Sequence, residues 1–233
     1  STPTLVRNRI SNNEGANLAV LDEACPIITD NFITDAPARG LVIISKASGT
    51  FEHNVVCNSD LANVYVGGDA SPKLEGNVIY NGAASGLVIE DNAKGEFNQN
   101  LISGHEQPAV AVQGHAAPTM QRNIVMHGGC GGVWLDEHAG GEFLHNFVEP
   151  AEGAWRIGAE VESRLSGDNL SAQECVWERG AGVEFPHQQK PDKVVLVFNP
   201  DVSGRGQMAL GMAAPAHQNG AISNLPLPAD PMS

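Results

Sequence analysis

"TPTLVRNRIS" fills residues 2–11 and "APTMQRNIVM" fills residues 117–126, so nearly the same phrase returns after 115 residues. Working outward from these stretches exposes a ruler. Asn8, Asn31, Asn54, Asn77, Asn100, Asn123, Asn146 and Asn169 stand 23 residues apart. Five places before the first seven stands Pro or Gly: Pro3, Pro26, Gly49, Pro72, Gly95, Pro118 and Gly141. Three places before is a bulky apolar residue, from Leu5, Ile28 and Phe51 to Phe143. Two places after is Ile or Val, from Ile10 and Ile33 to Val148. Sixteen places after the first six comes an alanine, from Ala24 to Ala139. The two opening phrases are one corner of one repeat, five periods apart.

Within a period the apolar alternation has a step of two, the signature of strands. "GLVIE" at 86–90 shows it, with Leu87 and Ile89 alternating with Val88 and Glu90. The same pair returns as Leu18/Val20, Leu41/Ile43, Val64/Val66, Val110/Val112 and Val133/Leu135. Three short strands with Gly, Asn and Asp turns fit in 23 residues, and no stretch has the helical 3.6 period. Equal coils whose like columns stack predict an all-β chain wound as a single-stranded right-handed parallel β-helix of about seven coils. Each coil advances by roughly one strand spacing, 4.8 Å. The Asn column, Asn8 to Asn146, then has a structural job. Asn tolerates left-handed backbone at a turn, and its amide can bond the Asn of the next coil in a ladder. The Pro/Gly column adds a weaker period of 46 residues from Pro26 onward.

The pattern fades after Asn146. On a strict count Trp155 falls in a slot held by small residues, Arg156 and Gly158 replace the inward pair, and Ile157 points outward. The chain therefore divides into regular coils (1–154), a degenerate coil and C-terminal cap (155–198), and an Ala/Pro/Gly-rich tail (199–233). "VVLVF" at 194–198 reads as one isolated strand, and the chain beyond Gly204 as extended or mobile. "WERGAGVEFP" at 177–186 reads as one more coil with an insertion. No cap precedes the first coil, which suggests a longer chain or an assembly.

Composition narrows the partners. Of 233 residues, 42% are hydrophobic, 17% are charged and 26 are Gly, which suits a turn-rich β protein. A formal charge of −14 argues against nucleic acid, whose phosphates need clustered Lys and Arg. No apolar run is long enough to span a membrane. No signal peptide is visible, and four cysteines in four different columns form no Cys-x-x-Cys pair. Reduced thiols and a cytoplasmic setting are the expectation.

"PTLVRNRIS", "SPKLEGNVIYNGAASGLVIEDNAKGEF" and "APTMQRNIVMHGGCGGVWLDEHAGGEF" resemble the PbH1-type β-helix repeats of the carbohydrate-binding and sugar-hydrolase (CASH) superfamily. They look most like the β-helix region of eukaryotic F-box substrate adaptors and SHC-binding spindle-associated proteins. The resemblance covers roughly residues 1–150 and implies the fold. It leaves activity open, because that superfamily holds lyases and epimerases alongside noncatalytic adaptors. No F-box-like helical segment is present, so a ligase role is not implied.

The motifs of polygalacturonases and the Asp-Pro-His segment of mannuronan epimerases are absent. "SGHEQ" at 103–107 offers a Gly-His without an aspartate pair. The best chemical group is His115 and His138, one column apart by a single coil, with Asp136 and Glu137 beside the second. His105 and His127 form a second couple, at neighbouring turn positions of adjacent coils. Either couple could serve as an acid/base pair or a transition-metal site. The competing reading is solvated turn residues, since the His115 column holds Glu23, Lys46, Asp69 and Asn92 in earlier coils.

The more informative column lies outside. Between the inward pairs stand Ala19, Val42, Tyr65, Val88, Ala111, Trp134 and Ile157, where a solvated face should be polar. Either the 194–198 strand and the tail cover this strip, or a partner does. The reading that follows is a noncatalytic recognition scaffold, without metal or cofactor, binding a protein partner through Val42, Tyr65, Val88 and Trp134. The alternatives are a carbohydrate-active protein using His115, Asp136 and His138, or a structural piece of a larger assembly.

Overall fold

The computed structural model describes residues 2–136, 138–149 and 155–158 in full, and the backbone of four further stretches, 162–166, 170–171, 195–200 and 206–211. The chain winds into three parallel sheets of eight, eight and seven strands. Each coil contributes one strand to each sheet, beginning with Thr4–Val6, Arg9–Ser11 and Leu18–Val20. Strand neighbours are always one coil apart, and Leu5 stands beside Ile28 as Leu74 stands beside Phe97. The expected 23-residue β-helix is the fold.

Inside, like residues pile on like. Phe51, Leu74, Phe97, Met120 and Phe143 line the first sheet, and Ile33, Val56, Ile79, Ile102 and Val125 line the second. Leu41/Ile43 through Val133/Leu135 line the third, while Ala47, Ala70, Ala93, Ala116 and Ala139 fill the narrow corner beyond it. A β-helix has one apolar core running its whole length, and these columns are that core.

The asparagine ladder holds the first corner. Asn77 shows the pattern: its Oδ1 accepts from the backbone N–H and Nδ2 of Asn54, and its Nδ2 donates to Asn100 Oδ1 at 3.0 Å and to the carbonyl of Phe51 at 2.9 Å. Asn31, Asn54, Asn100 and Asn123 repeat this arrangement. These amides are buried, so each bond satisfies a group that water cannot reach. The left-handed residue of the corner is not the Asn but the one before it. Arg7, Asp30, His53, Gly76, Gln99, Arg122 and His145 all have φ between 53° and 63°. Left-handed backbone costs most L-residues about 1 kcal/mol, and the four bonds of the following amide hold the corner in place.

Three further features depart from the sequence reading. The coil after Asn146 does not decay; it is one residue shorter. Val133 pairs with Trp155, Trp134 with Arg156 and Leu135 with Ile157, a step of 22. Trp155 and Ile157 are therefore the inward pair and Arg156 is the outward residue. Trp155 is buried edge-on against Phe143, with ring centroids 5.4 Å apart. The step returns to 23 where Phe147 pairs with Leu170, although Asn169 itself lies outside the described residues.

Secondly, the strand at 194–198 is not isolated. Val195–Pro200 pairs antiparallel with Gly206–Gly211, within the stretch expected to be extended or mobile, and among the described residues these two strands form a sheet of their own. Residues 177–186 lie outside the described residues. Thirdly, the second sheet has its own outward apolar column, which the sequence reading missed: Phe32, Val55, Val78, Leu101, Ile124 and Phe147 stand in register. By contrast, the first sheet turns Thr50, Lys73, Glu96 and Thr119 outward, as a solvated face should.

Candidate functional site

The third sheet lines up the expected outward column. Ala19, Val42, Tyr65, Val88, Ala111 and Trp134 are cross-strand neighbours in that order, and Arg156 follows Trp134. Val42, Tyr65, Val88 and Trp134 are half-buried, so this strip is neither core nor fully solvated. Tyr65 and Trp134 play different parts in it.

Tyr65 is enclosed. Its ring lies against Gly67, where an added Cβ would stand 3.0 Å from the ring carbon and the hydroxyl. The Arg39 guanidinium sits over the ring, 4.2 Å from the centroid, a cation–π contact. The Tyr65 hydroxyl donates a short hydrogen bond to Glu90 Oε1. Burial first, and then the Glu90 carboxylate, hold the phenol well above its ordinary range. Arg39 and Glu90 escaped the sequence reading. The signal for Glu90 lay in the alternation, since it is the next outward residue after Val88 in the strand beside Tyr65.

Trp134 is less confined. Beside it in the preceding coil is Ala111, which presents one methyl group and is itself 3% exposed. Two residues on, Asp136 continues the outward side of the same strand. At the following corner His115 and His138 stand as expected, one above the other, with ring centroids 5.4 Å apart and planes at 78°. Trp134, Asp136, His115 and His138 thus gather at one edge of one sheet, across two adjacent coils. Glu137 lies outside the described residues. Among the described residues no three His, Cys, Asp or Glu side chains gather as metal ligands would.

The second histidine couple does not exist as a couple. His105 and His127 are strand residues on opposite sides of the second sheet. His105 is 3% exposed, with its ring in a slot left by Gly82 and Gly86 of the preceding coil. Its Nε2 lies 3.0 Å from Asn63 Nδ2, two coils back. Asn63 Oδ1 accepts from the Ser59 N–H and its Nδ2 also donates to the Tyr80 carbonyl, which fixes the amide orientation. His105 Nε2 must therefore accept, so the neutral ring carries its proton on Nδ1. Burial lowers its pKa to about 4. His127 faces outward and is exposed.

Cys25, Cys57 and Cys130 are free thiols, and Cys175 lies outside the described residues. Cys57 is buried, with its Sγ 3.2 Å from Thr34 Oγ1, and burial pushes its pKa up, the opposite of an activated thiolate.

Comparison with known proteins agrees with the architecture. The family model described as the right-handed β-helix region matches residues 1–125 and 27–169. A search of curated proteins gives no match. Among solved structures, the chain is similar to the A-module of mannuronan C-5 epimerase AlgE4 from Azotobacter vinelandii, at 11% identity and a TM-score of 0.42. That likeness covers 74% of this chain and 58% of the module, so the chain spans less than two thirds of it. It is also similar to a proposed glycosyl hydrolase from Parabacteroides merdae, at 11% identity and a TM-score of 0.31, covering 73% of this chain and 84% of that one.

Proposed function

The chain belongs to the right-handed β-helix family, and on that premise we propose that it binds carbohydrate on the outer face of the third sheet, with Trp134 as the stacking platform. One observation carries the reading: a half-exposed indole, the carboxylate two residues on and a contacting histidine pair stand on two adjacent coils at one edge of the third sheet. Sugar rings have an apolar face that stacks on an aromatic ring and hydroxyls that need donors and acceptors. Trp134 supplies the first, and Asp136, His115 and His138 supply the second. An imidazole pair beside a carboxylate would also allow acid/base chemistry on a bound sugar. A net charge of −14 favours neutral over polyanionic chains.

A protein partner along the same strip is the second reading, supported by the half-buried Val42 and Val88 that extend the apolar column well beyond one sugar site. Tyr65 contributes less to either, because Gly67, Arg39 and Glu90 already occupy its surroundings.

Glycan-array binding followed by calorimetry separates the two. Trp134→Ala is expected to weaken glycan affinity about tenfold or more, and Val42→Ser to leave it unchanged. Wild-type affinity in Trp134→Ala, or no glycan bound while Val42→Ser abolishes capture of a protein partner, would overturn the carbohydrate reading.

A further inference from the structure

On the outside of the second sheet three side chains from successive coils form a chain of contacts. Ser103 Oγ lies 3.2 Å from His127 Nδ1, and His127 Nε2 lies 3.3 Å from Glu149 Oε2. We propose that Ser103, His127 and Glu149 form a nucleophilic serine centre that hydrolyses esters of apolar acyl groups. It shares no residue with the third-sheet site and does not depend on that site's reading.

The proton positions follow from the partners. An ionised carboxylate only accepts, so the Nε2 facing Glu149 carries a proton and donates it. Nδ1 of the neutral ring then holds the lone pair, and the Ser103 hydroxyl donates to it. That is a hydroxyl beside its general base, with the base oriented by a third group. Relative to serine proteases the two ring nitrogens exchange places, but the sequence hydroxyl, imidazole, carboxylate is kept.

The backbone adds a second observation. His127 has φ 53° in a column of left-handed residues that reads Asn12, Asp35, Asn58, Asn81 and Gly104 in earlier coils. The Asn and Asp residues serve their own exposed ladder, Asn58 donating to Asp35 and Asn81 to Asn58. Asn and Asp tolerate this conformation readily. At His127 the column exchanges a well-suited residue for an imidazole, and that imidazole lies against a serine on one side and a carboxylate on the other.

The surroundings select the substrate. Ser103 stands between Tyr80 and Met126 in its own column. Leu101 shares its strand face, with Ile124 and then Phe147 in register beyond. An acyl chain beside Ser103 meets the half-buried Tyr80 and Met126, while Leu101 and Ile124 are themselves only 6% and 2% exposed, and no Lys or Arg stands in either column there to hold an anion.

In the reaction Ser103 Oγ bonds to the ester carbonyl carbon as its proton passes to His127 Nδ1. The bond to the alcohol oxygen breaks, and the alcohol leaves with that proton. Water then attacks the acyl-serine, giving one proton to His127; the carboxylic acid departs and Ser103 Oγ takes the proton back. Glu149 is a positioning residue that faces the Nε2–H and stabilises the imidazolium.

The test treats the full chain with a fluorophosphonate probe and, separately, with p-nitrophenyl butyrate. The probe is expected to label Ser103, located by peptide mass. Butyrate hydrolysis is expected to fall about 100-fold in Ser103→Ala and in His127→Gln, with unchanged thermal midpoints. Glu149→Gln is expected to lower the rate, with Glu149→Asp restoring part of it. Three results would each overturn the proposal: a label on any other residue, labelling of Ser103 that His127→Gln leaves undiminished, or hydrolysis at the wild-type rate in Ser103→Ala.

Discussion

Up to Val148 the chain advances 23 residues per coil and the inward and Asn columns keep their chemistry; from Val133 to Ile157 it advances 22, and count and chemistry part. A strict count would put Arg156 and Gly158 into the core and turn Ile157 out. The structure instead keeps apolar side chains inward and absorbs the missing residue between Val148 and Trp155. Register obeys side-chain parity, because a slip of one residue would turn every apolar group in the strand to the wrong face. In the regular coils column count and parity agree, whereas at Trp155–Ile157 parity overrides the count.

The sharpest way to break the regular half is Asn77→Ala. It removes two bonds made and two accepted, and leaves the buried Phe51 carbonyl and Asn54 N–H without their partners. A loss of about 3–5 kcal/mol is expected, read as a lower urea midpoint. A loss near zero would mean that strand parity holds the regular coils as it holds the short one.

A middle-sized effect concerns His105, whose ring fills the slot left by Gly82 and Gly86 in the regular coils. Its folded pKa of about 4 lies below the ordinary value for His, so the folded state binds fewer protons than the unfolded one. This contribution is complete above the unfolded pKa and is lost as pH falls toward the folded one. Between pH 7.5 and pH 5 it amounts to about 2 kcal/mol. His105→Gln should flatten that part of the stability–pH curve, and an unchanged curve would show that the ring is not held neutral.

The smallest effect is expected in the short coil. One glycine inserted between Val148 and Trp155 restores the 23 step there and should cost less than about 1 kcal/mol, since one more residue between two strands adds little closure entropy. A larger cost would make the 22-residue length itself a requirement of the Trp155–Phe143 contact.

The period, the inward pairs, the alanine corner and the Asn ladder were legible in the sequence because each repeats one kind of residue for one physical reason. The left-handed residue before each Asn was not, because Arg7, Asp30, His53 and Gln99 share no chemistry; the corner is imposed by the next residue's amide. The short coil was hidden because a deletion in a connection leaves no mark until its consequences in the sheet are seen. At the candidate site the outward column and the His115–His138 pair could be read from spacing. Which face His105 takes could not, because a histidine is at home on either side and its slot is made by glycines in another coil. The Ser103–His127–Glu149 chain was hidden for a related reason: column positions give register, and side-chain reach must be seen.

One feature of the corner opposite the Asn ladder bears on how such a molecule can change length. Gly49, Gly95 and Gly141 take positive φ, and a Cβ on any of them would run into the carbonyl of Pro26, Pro72 or Pro118. Asn17 and Asn63 alternate with Gly40 and Gly86 in the same rhythm. Excising residues 31–76 would bring Gly95 against Pro26 and Gly86 against Asn17, a junction the chain already contains. Excising only 31–53 would set Asn63 directly upon Asn17, a junction it contains nowhere. Measured by what can be spliced out or duplicated cleanly, the unit is the pair of windings rather than the single one.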